Sequence, residues 1–258
     1  MKTKIKEFAQ YNNLFMELVR KGIKLKYRRS YLGIIWSLIE PLLTMIVLTI
    51  VFGTLFGYNG PEFPVYILSG RLIYSLFSQS TTTALKSIRQ NQAMIKKVYV
   101  PKYLYPLSGI VFNYILFLVS LVVLVVVALV LKVYPTPRLF LAVIPLMVLF
   151  LLSVGIGIIL STIGVFFRDL EYLWNVGLML VMYTCAIFYY PEKILSSDVS
   201  FILQYNPLFC IISNFRSCIF GQSMDLFMLG YSFLFSIVTI FVGIVIFDKN
   251  EDKFILHI

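Results

Sequence analysis

Six long apolar segments confine this chain to a lipid bilayer. A hydrocarbon core of about 30 Å asks for roughly 20 apolar residues per helix. Runs of that length occur at Ile34–Gly57, Pro64–Leu85, Leu107–Leu131, Leu139–Phe166, Tyr172–Tyr190 and Phe227–Phe247. With 60% of its 258 residues hydrophobic and 13% charged, the chain carries more apolar surface than one soluble core of this size can bury. The expected fold is an all-α integral membrane domain with six transmembrane helices over residues 34–258, preceded by an N-terminal segment, 1–33, of different character.

Orientation follows from the basic residues, because Lys and Arg near span ends stay on the cytoplasmic side. They crowd the N-terminal segment (Lys2, Lys4, Lys6, Arg20, Lys21, Lys24, Lys26, Arg28, Arg29) and the loop after the second span (Lys86, Arg89, Lys96, Lys97, Lys102). The connections near Tyr58–Glu62 and Val133–Arg138 are short and poor in Lys and Arg, which puts them outside. Six spans then leave both termini cytoplasmic. The formal charge of +10 is mostly this topology signal; its bearers flank spans, so a nucleic-acid-binding role is not expected. No cleavable signal peptide is expected, since the first long apolar run begins only near residue 34.

Before that run, Phe8, Tyr11, Phe15, Leu18, Gly22 and Leu25 recur at alternating three- and four-residue steps. One apolar stripe opposite a basic face describes an amphipathic interfacial helix, resting on headgroups or helping to bind a cytoplasmic partner. The loop 86–106 is unlike an ordinary solvated loop. Asn91, Met94, Ile95, Lys96, Lys97, Val98, Tyr99 and Pro101 mix charge with large side chains, the composition of a surface that docks another protein.

The segment 191–226 contains an apolar stretch, Phe201–Gly221, interrupted by Gln204, Asn206, Pro207, Asn214 and Arg216. Counted as a seventh span it would place Lys249 and Lys253 outside. A helical hairpin dipping in from the outer side fits better, because broken backbone survives at membrane depth where protein or water satisfies it; an amphipathic surface hairpin is the other reading. Arg71 lies inside the second span, where its stem can snorkel to the headgroups or its head can face a conduit. Glu40 lies near the inner interface, within reach of neutralisation by Arg28 or Arg29. Tyr183, Phe188, Tyr189 and Tyr190 belong either to an interfacial aromatic belt or to flat surfaces along which sugar rings slide, with Tyr183 and Tyr190 expected on one helix face.

Cys185, Cys210 and Cys218 form no Cys-X-X-Cys pair and read as packed thiols. The single histidine, His257, is at the tail, so no metal site and no histidine-based catalysis are expected.

The strings YRRSYLGIIWSLIEPLL, NQAMIKKVYVPKYLYPLS, FFRDLEYL, AIFYYPEKI and YNPLFCIISNFRSCIFG stand in order along nearly the whole chain. Together they resemble the membrane subunits of ATP-binding-cassette (ABC) exporters for polysaccharides, O-antigens and teichoic acids. The resemblance implies a homodimer of six-helix subunits in a bacterial inner membrane, with a separate cytoplasmic ATPase dimer that binds ATP and Mg. It implies that the segment around Asn91–Tyr105 couples to that ATPase. Phe201–Gly221, with Asn206, Pro207 and Arg216, would gate the exit, and a lipid-linked glycan would pass along the dimer interface beside the first and fifth spans. Arg71 departs from the apolar residue expected there. The chain contains no Gly-X-X-X-X-Gly-Lys-Ser/Thr loop to cradle phosphates, so no cofactor of its own is expected and the ATPase must be another chain. An exporter of a drug or small lipid is the near alternative. A membrane-embedded transferase would need a catalytic set that Glu40, Asp169 and Glu171 do not form; Phe167–Glu171 reads instead as a second inner contact, a hinge, or a simple helix cap. An ion-coupled transporter usually places acidic residues at mid-span, and none is there.

Overall fold

The computed structural model describes residues 10–257 except Arg29, Asn59, Tyr99, Pro135 and residues 197–199. Among the described residues eight helices exceed ten residues: α1 Asn12–Tyr27, α2 Trp36–Phe56, α3 Glu62–Gln90, α4 Leu104–Val130, α5 Val143–Phe166, α6 Leu170–Thr184, α7 Pro207–Ile219 and α8 Leu226–Asn250. Single turns at Gln92–Ile95, Glu192–Leu195 and Phe201–Gln204 and the 3-10 stretch Pro137–Ala142 fill the connections.

Among the described residues, four segments are long and apolar enough to cross a membrane: Gly33–Phe56, Leu104–Val130, Pro137–Phe166 and Leu226–Leu256. The second and fifth expected spans fall outside this set, each for its own reason. α3 has 29 residues, about 43 Å at 1.5 Å per residue, but it is rich in Ser and Thr. It can be, because it is the central helix, packed by α2, α4, α5, α6 and α7. Eighteen of its residues are buried, and its hydroxyls bond back to its own carbonyls, as Ser69 Oγ does to Tyr66 O and Thr81 Oγ1 to Phe77 O.

The fifth expected span, Tyr172–Tyr190, is cut short. α6 ends at Thr184, about 22 Å long, and Ala186 then adopts a left-handed φ of 47°. A non-glycine residue there carries strain that its surroundings must hold. Tyr183 and Tyr190 therefore do not share a helix face, contrary to the seven-residue spacing.

The close packing of α5 and α8 rests on small residues. A Cβ on Gly155 would come within 2.8 Å of the Ile240 backbone nitrogen, and one on Gly243 within 3.2 Å of the Gly155 carbonyl oxygen. Such residues let two backbones approach in lipid, where packing rather than water exclusion drives association.

The amphipathic stripe of α1 packs against protein. Phe15, Leu18 and Val19 are buried in one cluster with Ile88, Ile95, Leu104, Phe247 and Phe254, and Gly22 abuts the Phe112 ring of α4. Leu25, expected on the same stripe, is exposed, and Phe8 lies outside the described residues. α7 is short and enclosed: ten of its thirteen residues are buried, against α3, α5 and α8. Cys185, Cys210 and Cys218 are free and buried.

Candidate coupling, conduit and gating surfaces

The loop between α3 and α4 divides into an inward and an outward face. Asn91 caps the end of α3, and its backbone N–H donates to the Ser87 and Ile88 carbonyls. The turn Gln92–Ile95 then rolls Ile95 inward, where it is 7% exposed among Phe15, Val100 and Phe254, with Met94 packed on the same cluster. Pro101 is buried too. Gln92, Ala93, Lys96, Lys97 and Val98 are left exposed, while Tyr99 lies outside the described residues. The expected docking set is therefore split, since Ile95 and Pro101 are core. The physical reason lies far along the chain: the Lys102 ammonium donates to the Glu251 carbonyl and lies 5.7 Å from the Phe254 ring centroid, so the C-terminal turn seals the back of the loop.

Beside this loop, Glu171 at the start of α6 pairs with Lys86 at 3.0 Å and with Arg89, both on α3. Phe167–Glu171 is thus tied to the helix that leads into the exposed loop. The signal that reveals this in the sequence is the pair of cations three residues apart on one helix face, opposite an acid in a short charged connection.

The aromatic candidates separate in the same way. Tyr183 is exposed. Phe188 is buried and stacks on Phe52 of α2 with centroids 4.8 Å apart. Tyr190 sits among Tyr58, Phe63 and Tyr66, with centroids 4.7, 5.9 and 4.6 Å away, and the Tyr189 hydroxyl donates to the Tyr183 carbonyl. Phe188 and Tyr190 therefore pack among other rings, Tyr189 packs instead beside Ala186, Leu203 and Phe209, and Tyr183 is the exposed one, its ring centroid 6.3 Å from that of Phe188; Phe52, Tyr58 and Tyr66 join the ring cluster without having been singled out in the sequence.

The outer-gate residues converge on the backbone break after α6. Arg216, 5% exposed, donates from Nη1 to the Ala186 carbonyl and from Nη2 to the Tyr66 and Ile187 carbonyls. Its guanidinium carbon lies 3.4 Å from the Tyr66 ring centroid, a cation–π contact. The Tyr66 hydroxyl donates to the carbonyls of Ala186 and Tyr189. Asn206 caps α7, accepting from the Leu208 and Phe209 N–H groups, and donates to Thr184 Oγ1. Pro207 follows at the first helical position, where its missing N–H costs nothing. Gly70 leaves the space for the guanidinium, since a Cβ there would collide with Nη2. One arginine thus fastens α3, α7 and the strained turn together.

Arg71 is partly buried on α3. It lines a cavity of about 60 Å³ with Ser75 and Gln79 of α3, Glu40 of α2, Asn113 of α4 and Lys26 of α1. The Lys26 ammonium donates to Gln79 Oε1 at 2.8 Å. Desolvation at the cavity rim lowers the Lys26 pKa below its ordinary value, and the Glu40 carboxylate opposes that shift. The charge facing Glu40 is therefore Lys26; Arg29 lies outside the described residues.

One family model and relatives of two kinds match this chain over most of its length. The family model for ABC-2 type transporters matches residues 13–220. An O-antigen export system permease protein of Klebsiella pneumoniae is 29% identical, over 94% of this chain and 93% of that protein. An O-antigen export system permease protein of Myxococcus xanthus is 26% identical over 97% of both chains. A polysialic acid transport protein of Escherichia coli is 23% identical over 91% of this chain and 92% of its own.

Proposed function

The chain belongs to the ABC-2 type transporter family, and we propose that it is the membrane subunit of an exporter that moves a lipid-linked polysaccharide across the bacterial inner membrane, driven by a separate ATPase. The observation that carries this reading is the end-to-end similarity to permeases named for O-antigen and polysialic acid. In this reading α3 and α6 are the second and fifth of six spans. α3 tolerates its hydroxyls because five helices shield it from lipid, and α6 is completed by residues 185–190. Residues 1–33 then form the cytoplasmic interfacial segment, 34–258 the membrane domain, and 191–226 a re-entrant hairpin at the outer face. Both termini are cytoplasmic.

Gln92, Ala93, Lys96, Lys97 and Val98 are the surface on which the ATPase, with its ATP and Mg, docks. α2 and α6 carry the homodimer seam. Their outward rows, with Leu43, Val47 and Ile50 on one helix and Val176, Leu180 and Tyr183 on the other, are exposed in the single chain, and a second copy would cover part of them. Tyr183 is the conduit ring that remains available to a passing sugar, because stacking on an aromatic face is weak at each step and repeatable.

Purification through a tag on this chain, in gentle detergent, tests the partnership. A co-purifying ATPase that carries a phosphate-cradling loop is the expected result. A chain that purifies alone, from membranes that hold the ATPase in excess, contradicts the proposal.

A further inference from the structure

Arg71, Ser75 and Gln79 are spaced four residues apart along α3, so they form one polar stripe about 12 Å long. The stripe faces Glu40 on α2 and Asn113 on α4, and its inner end is bridged by Lys26. The cavity they enclose holds two cations and one carboxylate. Lys26 and Glu40 offset each other by proximity, which leaves Arg71 uncompensated. Among the described residues its polar neighbours are the Met182 sulfur at 4.0 Å and the Tyr74 ring, with its centroid 5.5 Å away; neither carries negative charge. A cation at this depth in a membrane helix is costly unless a counter-charge reaches it. Of the other polar groups lining the space, the Asn113 amide already donates to Gly109 O and Thr83 Oγ1 and the Ser120 hydroxyl to Ser37 O, which leaves the Ser75 hydroxyl beside the two cations to meet an anion.

From this geometry we infer that the cavity between α1, α2, α3 and α4 is a binding site for a phosphate group, with Arg71 as its deep cation and Lys26 as its rim cation. The phosphate is that of an anionic lipid. The cavity begins at the interfacial helix, where lipid headgroups lie, and Leu116 and Phe117 of α4 give its wall an apolar side. Arg71 holds the phosphate by charge-assisted hydrogen bonds, about twice as strong as neutral ones. Gln79 holds Lys26 at the rim. The site borders α2, and Arg71 touches Met182 of α6, but phosphate binding is read without export, so its failure would leave the export proposal untouched.

Native mass spectrometry of the full chain, extracted from vesicles of phosphatidylcholine with phosphatidylglycerol, tests this. Wild-type protein is expected to retain phosphatidylglycerol, and Arg71→Gln to bind it about tenfold more weakly. Gln79→Glu keeps both cations and nearly the same shape while placing a carboxylate beside Lys26, and is expected to lower retention to a similar degree with an unchanged melting temperature. Inorganic phosphate titrated into protein from phosphatidylcholine-only vesicles reads the other source. Arg71-dependent phosphate binding without phosphatidylglycerol retention would assign the site to a free phosphate; retention without phosphate binding assigns it to a lipid. Retention and phosphate binding that are the same in wild type, Arg71→Gln and Gln79→Glu would overturn the inference.

Discussion

Replacing Val98 with Asp is expected to abolish export while leaving a folded, membrane-inserted protein, whereas replacing Ile95 with Asp is expected to leave little folded protein at all. The two residues are three apart in one loop, yet they face opposite ways. Val98 is 54% exposed, so a carboxylate there stays in water until a partner covers it. It then either remains buried without a counter-charge or prevents docking, and truncated or mismatched charges at interfaces cost about 2–5 kcal/mol. Ile95, packed against Phe15, Val100 and Phe254, is all but withdrawn from water in the folded chain. An unpaired carboxylate in that place costs several kcal/mol, comparable with the whole stability of many domains. Surface polymer measured alongside protein yield separates the two. Normal export by Val98→Asp would remove this loop from the coupling surface, and a well-folded Ile95→Asp would show that its side chain is not core.

Arg216→Ala is expected to lower the melting temperature in detergent by about 5–15 °C, from a loss of roughly 2–4 kcal/mol. The change removes three hydrogen bonds from a charged donor; the Ala186 carbonyl keeps the Tyr66 hydroxyl and the Tyr66 carbonyl keeps the Ser69 hydroxyl, while the Ile187 carbonyl loses its side-chain donor. Opposing this is the cost of holding a guanidinium out of water with no carboxylate paired to it among the described residues, where Nε also has no acceptor. The bonds outweigh that cost because the Ala186 and Ile187 carbonyls belong to a left-handed turn that relaxes once released. Arg216→Lys keeps the charge but not the fork, so it falls between wild type and Ala. Equal melting temperatures for all three would show that the turn after α6 holds itself.

Legibility in the sequence followed the range of the forces involved. The four long apolar helices and α1 were visible because length and three-to-four spacing are local properties. α3 was visible as a long helix, but its place at the centre was not, since packing against five neighbours leaves no local mark. The break at Ala186 lay hidden inside an apolar run: Cys185, Ile187 and Phe188 read as more of the same helix. What ends that helix is Arg216, Tyr66 and Asn206, which are distant in sequence. The same holds for Ile95, whose burial depends on α1 and on Phe254. Arg71 and Lys26 each looked like an isolated charge until folding set them along one cavity.

The most direct measurement follows the polymer itself. When synthesis of this chain is shut off in growing cells and lipid-linked polymer is assayed on each face of the inner membrane, full-length polymer is expected to accumulate on the cytoplasmic face while surface polymer falls. Undiminished surface polymer, or accumulation on the outer face of that membrane, would contradict a role in its export.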